Sequence, residues 1–291
     1  ACTATTSPER ALDLLTQNSY ALFLTDLRMP EMDGIEVVRR AKIIDAELCI
    51  VVVSAPGKRH GDDIKVTDML IECARRVQAG QPAETEIDAV VDRYRAIETH
   101  LGLTENVSDA VAADLRARAQ RTDLDRDAFL DLMKAAGEDN SAKLVASALR
   151  QKGCSARYVN PGEAGMRLSA EYGNARLLPE SMALLSRLRE VPEVVVFPGF
   201  FGVTPEHEVV TFPRGGSDIT GAILAAATEA EAYENFTDVE SVFAADPRLV
   251  AGVRSIPELT FREMRELSYA GFSVLHDEAI LPAVRANIPI F

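Results

Sequence analysis

The residues best able to do chemistry stand in one short run, Thr211-Phe212-Pro213-Arg214-Gly215-Gly216-Ser217-Asp218-Ile219-Thr220-Gly221. A strand-like stretch ends there in a glycine pair and opens at once into an alanine-rich helical pattern. Two glycines let backbone N–H groups approach an anion, and the first turn of the helix adds about half a positive charge at the same place. The spacing suggests a phosphate cradle; taken alone, it is equally consistent with a tight turn in which Ser217 or Asp218 caps the helix. Two more polar turns follow apolar runs: Pro198-Gly199-Phe200-Phe201-Gly202-Val203-Thr204, and Thr237-Asp238 with Ala245-Asp246-Pro247-Arg248 shortly after. Ligands bind at the carboxyl ends of strands in open α/β sheets, so turns in those three places favour a site.

The elements that must carry these turns read as follows. A short helix over 8–18 precedes a buried strand over 20–25, a turn from Asp26 to Gly34, an amphipathic helix through Lys42 and a continuous apolar strand over 48–54. From Ile64 to about Lys152 the period is helical, with segments over 64–77, 87–101, 107–119 and 129–135. A separate segment carries Ala142, Leu144, Val145, Ala148 and Leu149 and is closed by Gly153. Strands return at 156–159, 193–197, 208–212 and 232–236, alternating with helices near 180–189 and 219–229. This grammar predicts an α/β fold with a covered, mostly parallel sheet.

Composition narrows the partners. Lys+Arg 31 against Asp+Glu 45 leaves a net charge of −14 over 291 residues, a field that repels phosphate backbones and anionic lipid surfaces. Nucleic acid and membrane are therefore not expected partners. Cys2, Cys49, Cys73 and Cys154 form no C-x-x-C pair and the histidines show no H-x-x-x-H spacing, so no metal ligand is assigned and reduced cytoplasmic thiols are expected. The chain begins without Met and stops at Pro289-Ile290-Phe291 inside a strand-like run, so both ends read as cut.

The segments VVVSAPGKR, DDIKVTDML, GEDNSAKLVA, ARYVNPGEAG, FPGFFGVTPE, TFPRGGSDITGAILAAA, YENFTDV and ELTFREMRELSYAGFSVLHDEA closely resemble the catalytic domain of aspartate kinases, in the amino-acid kinase family. The resemblance covers 50–291 and implies a three-layer sandwich around a mostly parallel central sheet. It also implies ATP-dependent phosphorylation of the aspartate side-chain carboxylate to 4-phospho-L-aspartate, with magnesium on the ATP phosphates. By the same resemblance, Arg214 pairs with a substrate carboxylate, Ser54, Thr67, Glu138 and Ser217 complete the amino-acid pocket, and Asp218 organises the phosphate site. Gly215, Gly216, Thr237, Asp238, Phe243 and Arg248 match the nucleotide-binding segments, and association into a homo-oligomer is implied.

Residues 1–49 depart from that pattern. Aspartate kinases open with a strand running into a K-F-G-G-S-S turn, and this sequence instead carries YALFLTDLRMPEMDG followed by IEVVRRAK, which resembles a partial αβα segment of a response-regulator receiver domain. In that family Asp26 would accept a phosphoryl group. The chain thus reads as a receiver fragment joined to a kinase at a shared apolar strand, without the family's ACT regulatory modules, so feedback inhibition is not expected. Losing a lysine that acts on the transition state costs roughly 3–4 kcal/mol, and impaired turnover is expected. Two alternatives stand beside the kinase: a catalytically inactive relic that binds ATP and aspartate, and a receiver-type phosphoacceptor at Asp26. The strand over 20–25 is also a candidate to fill the sheet position left by the lost first strand.

Overall fold

The structure, a computed structural model, describes residues 22–24, 50–121, 123–235, 243, 250, 252–254, 256, 258–269 and 279–290. In chain order these form β1 (Leu22–Leu24), β2 (Ile50–Val53), α1 (Val66–Gln78), α2 (Glu84–Leu101), α3 (Val107–Ala119), α4 (Arg126–Gln151), β3 (Ala156–Tyr158) and α5 (Pro161–Ala164). They continue with α6 (Glu180–Leu185), a 3-10 turn (Ser186–Glu190), β4 (Val194–Pro198), β5 (Phe201–Val203), β6 (Val209–Thr211), α7 (Gly216–Thr228), β7 (Tyr233–Asn235), α8 (Phe261–Tyr269) and α9 (Leu281–Arg285). No helix among the described residues is long and apolar enough to cross a membrane.

The central sheet has the order β3-β4-β2-β1-β7, and every neighbouring pair is parallel. Because side chains alternate across a strand, Ile50 and Val52 join one buried cluster with Phe197, Ile223 and Leu224, while Val51 and Val53 join another with Ala142, Val145 and Leu149. Helix α7 therefore covers one face and α4 the other. Helices α1 to α3 pack on the far side of α4, around Leu70, Tyr94, Leu115 and Met133. Between Ala128 and Leu149 only Leu130, Lys134 and Lys143 of α4 escape full burial, since the helix is covered by the sheet on one side and by helices on the other.

Three expectations need correction. The helical pattern over 129–135 and the one carrying Ala142 to Leu149 are a single helix, α4, started by Asp125, whose Oδ1 accepts the N–H groups of Asp127 and Ala128 at 3.1 and 2.9 Å. Gly137 does not break it. A Cβ there would stand 2.8 Å from the Cβ of Ala55, so the glycine answers a close approach of helix to sheet rather than a turn. The strand over 208–212 is β6, and it leaves the parallel sheet to pair antiparallel with β5. That ribbon includes Phe201–Val203, which the glycine-rich spacing alone assigns to a turn.

The strand expected over 20–25 is present as β1, in register with both β2 and β7: Leu24 lies opposite Val52 on one side and Asn235 on the other. The helices expected over 8–18 and through Lys42, together with Asp26, lie outside the described residues. A central strand with ladders on both sides tolerates proline poorly, because the ring removes a ladder donor and leaves a buried acceptor unpaired at a cost of about 1–3 kcal/mol. Phe23→Pro is accordingly expected to lower the melting midpoint by roughly 2–12 °C, measured by circular dichroism, and an unchanged midpoint would show that β1 does not support the sheet.

Candidate active site

At the carboxyl edge of the sheet, the Val53 carbonyl accepts the Gly199 N–H at 2.9 Å, which stitches the turn after β2 to the turn after β4. Ser54, half-buried, is the first residue past β2. The chain then loops out and returns when the Val66 N–H donates to the Pro56 carbonyl at 3.3 Å, starting α1 and placing a half-buried Thr67 in its first turn. Arg93, only 6 % exposed, pins this loop: it donates to the carbonyls of Gly57 and Ile64 at 2.6 and 3.2 Å and pairs with Asp63 at 2.7 Å. Lys58 and Lys65 stay exposed on the loop.

The absent side chain of Gly137 lets α4 touch this edge. The Tyr94 hydroxyl donates to the Gly137 carbonyl at 2.6 Å, and the next residue, Glu138, lies against Ala55 with 6 % exposure. Its Oε2 is buried without a hydrogen-bond partner. Burial pushes the Glu138 carboxyl up to about 8, while the backbone amides of Glu138 and Ala55 and the charge of Lys134 pull the other way. An unsatisfied buried carboxyl oxygen is costly, and a ligand that brings a cation or a donor relieves that cost.

The glycine turn supplies the opposite chemistry. Gly215 is the N-cap of α7 with a left-handed φ of 77°, and no side chain caps the helix. Capping by Ser217 or Asp218 is therefore not found, and the first-turn N–H groups face outward with their partial positive charge. The turn is packed by omission of side chains: a Cβ on Gly216 would lie 2.6 Å from the Phe200 ring, and one on Gly199 would lie 2.6 Å from Ser217 Oγ. Phe200 itself sits at φ 76°, held by its N–H to Thr220 Oγ1 at 3.1 Å, while the same hydroxyl donates to the Gly216 carbonyl at 2.8 Å. A bulky residue in the left-handed region stores strain that its surroundings must hold.

Asp218, in the first turn of α7, accepts Asn235 Nδ2 on its Oδ1 at 3.0 Å, and the Tyr233 hydroxyl reaches the Asp218 carbonyl at 3.3 Å. The end of β7 thus fixes the start of α7. Arg214 is exposed, and no ion pair of this guanidinium is found among the described residues. Phe243 is half-buried. Thr237, Asp238 and Arg248, like Asp26, lie outside the described residues.

The structure therefore gathers Ser54, Thr67 and Glu138 at the meeting of β2, α1 and α4, and sets Arg214, Gly215, Gly216, Ser217 and Asp218 at the head of α7. Asn235, Phe200, Asp131 and Lys134 were not among the sequence candidates. For Lys134 and Glu138, the i, i+4 spacing on one helix was the available signal; Phe200 had none beyond lying in a turn already singled out, and Asn235 none beyond standing in the strand expected over 232–236.

Two family models match the chain: the amino acid kinase family over residues 37–291 and the response regulator receiver domain over residues 1–69. Aspartokinase 3 of Bacillus subtilis is 50% identical over 240 residues, 82% of this chain and 53% of that protein. Among solved structures, the aspartate kinase of Clostridium acetobutylicum matches with a TM-score of 0.73 at 27% identity, over 91% of this chain and 57% of that one. E. coli aspartokinase III, in complex with aspartate and ADP, matches with a TM-score of 0.74 at 28% identity, over 94% of this chain and 60% of that one. The chain spans about half the length of the curated relatives it matches.

Close approach at Gly137 is testable by overpacking, which costs about 1–3 kcal/mol in a filled interior. Gly137→Val is expected to lower the melting midpoint by roughly 3–10 °C, whereas Gly57→Ala, where an added Cβ meets nothing within 4 Å, leaves it unchanged. Equal midpoints for the two variants would contradict the packing described.

Proposed function

Because the chain belongs to the amino acid kinase family, we propose that it transfers the γ-phosphoryl group of ATP to the side-chain carboxylate of L-aspartate, giving 4-phospho-L-aspartate. The observation that carries this reading is Glu138, buried beside Ala55 with an unpartnered oxygen. It is suited to receive the substrate ammonium, whose charge returns the carboxyl to its ionised form. The Arg214 fork, exposed and without an ion partner among the described residues, takes the α-carboxylate in the bidentate geometry that a guanidinium favours. Ser54, Thr67 and Ser217 supply hydroxyls that orient the amino acid between them.

On the nucleotide side the residues fit a phosphate chain. Gly216 leaves room where a Cβ would collide with Phe200, Gly215 turns the chain at a left-handed φ of 77°, and the uncapped turn offers N–H groups to anionic oxygens. Asp218, fixed by Asn235, keeps that turn in place. Thr237, Asp238, Phe243 and Arg248 are assigned to the nucleotide by the resemblance. Magnesium carried on the phosphates neutralises charge that develops during transfer. Phosphoryl transfer asks the protein mainly for alignment and electrostatic complementarity, which these two subsites provide.

We assign residues 1–49 to a receiver-like segment and 50–291 to the kinase domain, with β1 of the first completing the sheet of the second. The product belongs at the entrance to lysine, threonine and methionine synthesis in the cytoplasm. E. coli aspartokinase III binds aspartate and ADP, the same pair of ligand classes proposed for this chain.

Hydroxylamine trapping of the acyl phosphate tests the reaction directly. Hydroxamate that requires both ATP and aspartate is expected from the purified chain and is lost in Asp218→Ala; a folded chain that binds both ligands and yields none would be a relic rather than an enzyme. Arg214→Ala removes a charge-assisted contact of about 1.5–3 kcal/mol, so the KM for aspartate is expected to rise at least tenfold while that for ATP moves less than about threefold. Equal losses for both substrates would contradict the assignment of Arg214.

A pH dependence follows from Glu138. Its folded value, about 8, lies above the ordinary glutamate value of 4.5, so below pH 4.5 the group is neutral in both folded and unfolded chains. Between those values the unfolded chain ionises first, and the fold loses stability as pH rises. Glu138→Gln is thus expected to raise the melting midpoint at pH 8 and to leave it nearly unchanged at pH 4. Affinity for aspartate moves the other way: from pH 6 to 8 it strengthens by up to about tenfold per unit in the parent chain and stays flat in the variant. A parent affinity independent of pH over that range would remove Glu138 from the ammonium site.

A further inference from the structure

Beneath the glycine turn lies a buried ion pair that neither subsite uses directly. Asp131, 1 % exposed, pairs through Oδ1 with Lys134 Nζ at 2.6 Å. Its Oδ2 accepts two backbone N–H groups, from Thr211 at 2.8 Å and from Gly173 at 2.7 Å. Lys134 also donates to Thr211 Oγ1 at 3.1 Å and stands 5.8 Å from the centre of the Phe200 ring. Thr211 ends β6 and stands three residues before Arg214. Phe200 is the ring that fills the space left open at Gly216. One turn further along α4 from Lys134 is Glu138.

A contact made only for packing needs no charges: replacing a buried ion pair with apolar residues of similar volume is often neutral or stabilising. What this pair adds is direction. Asp131 fixes the end of β6 through the Thr211 N–H and the neighbouring loop through the Gly173 N–H, and Lys134 holds a hydroxyl and an aromatic face at once. The bonds to Thr211 and the contact with Phe200 run from the helix that carries Glu138 to the segments around the phosphate turn, and the Gly173 bond ties in a loop whose Ala175 N–H donates to the Thr211 carbonyl at 3.1 Å. We propose that Asp131 and Lys134 are positioning residues, a brace between α4 and the β6–α7 turn that holds the amino-acid and phosphate subsites at the separation phosphoryl transfer requires. The inference rests on the kinase reading, and it assigns the pair to alignment of two bound substrates rather than to the binding of either. Alignment is where such a brace has leverage, since a displacement of about 1 Å costs on the order of a hundredfold in rate.

The test uses the full chain and the double variant Asp131→Asn/Lys134→Met, which removes both charges and keeps an acceptor for the Thr211 and Gly173 N–H groups. The milder Thr211→Val deletes only the hydroxyl that Lys134 holds, and it decides the matter if the double variant does not fold. Hydroxamate kinetics give kcat, titration calorimetry gives separate dissociation constants for aspartate and for ATP, and amide exchange reports residues 212–217. The brace predicts that kcat falls at least tenfold in the double variant and about threefold in Thr211→Val. Both dissociation constants stay within about threefold, and exchange over 212–217 quickens. A folded variant with the parent kcat, or a loss confined to the dissociation constants, would overturn the proposal. If the parent chain forms no hydroxamate, the kinase reading fails by itself; the brace then stands or falls on exchange over 212–217, with unchanged protection in a folded variant counting against it.

Discussion

Burying a carboxyl group inside a folded chain costs several kcal/mol unless other groups answer it, and α4 buries three of them within nine residues: Asp131, Glu138 and Asp139. Two are answered from within. Asp131 receives Lys134 and two backbone amides. Asp139 receives Arg118 at 2.6 Å, Lys143 at 2.8 Å and the Tyr158 hydroxyl. Glu138 keeps one oxygen with no partner, and burial raises its pKa accordingly. Among the three, the carboxyl left open is the one to which the proposed reading assigns the substrate ammonium.

The architecture around α4 follows from the need to bring that carboxyl to the sheet edge. Helices α1 to α3 cover its outer side, so the helix is buried nearly all round, and Gly137 removes a side chain that would hold it away from Ala55. On the other side of the edge, the turn at Gly199 and the head of α7 at Gly216 interlock by the same device. In the proposed reading, charge complementarity then sorts the ligands. Glu138 favours a cation, and the uncapped α7 terminus with Arg214 favours anions. An amino acid carries both kinds of charge, and a nucleotide phosphate carries one. The strained φ of Phe200 is held between those halves, as expected where backbone geometry serves a site.

Much of this was legible in the residues. The helices over 66–119, the parallel strands β2, β3, β4 and β7, and the glycine turn all follow from periodicity and turn chemistry. The strand expected over 20–25 takes a central place as β1, between β2 and β7. Three features were hidden for physical reasons. Glycine at 137 carries the same local signal whether it ends a helix or lets one approach a sheet, and only the tertiary contact with Ala55 separates the two. The departure of β6 into an antiparallel ribbon depends on β5, whose FGV run follows a glycine turn and is too short to announce itself. The pairing of Asp131 with amides at 173 and 211 joins segments far apart in sequence, so no local pattern could reveal it.

The account turns on a carboxyl that is neutral when the site is empty and ionised when the amino acid arrives. The direct measurement is a carbon-13 NMR titration of the Glu138 side chain, assigned by its loss in Glu138→Gln, with and without saturating aspartate. The account predicts a midpoint near 8 in the free chain, falling below about 6 with aspartate bound and unmoved by ATP alone. A midpoint near the ordinary glutamate value in the free chain, or one that aspartate leaves in place, would contradict it.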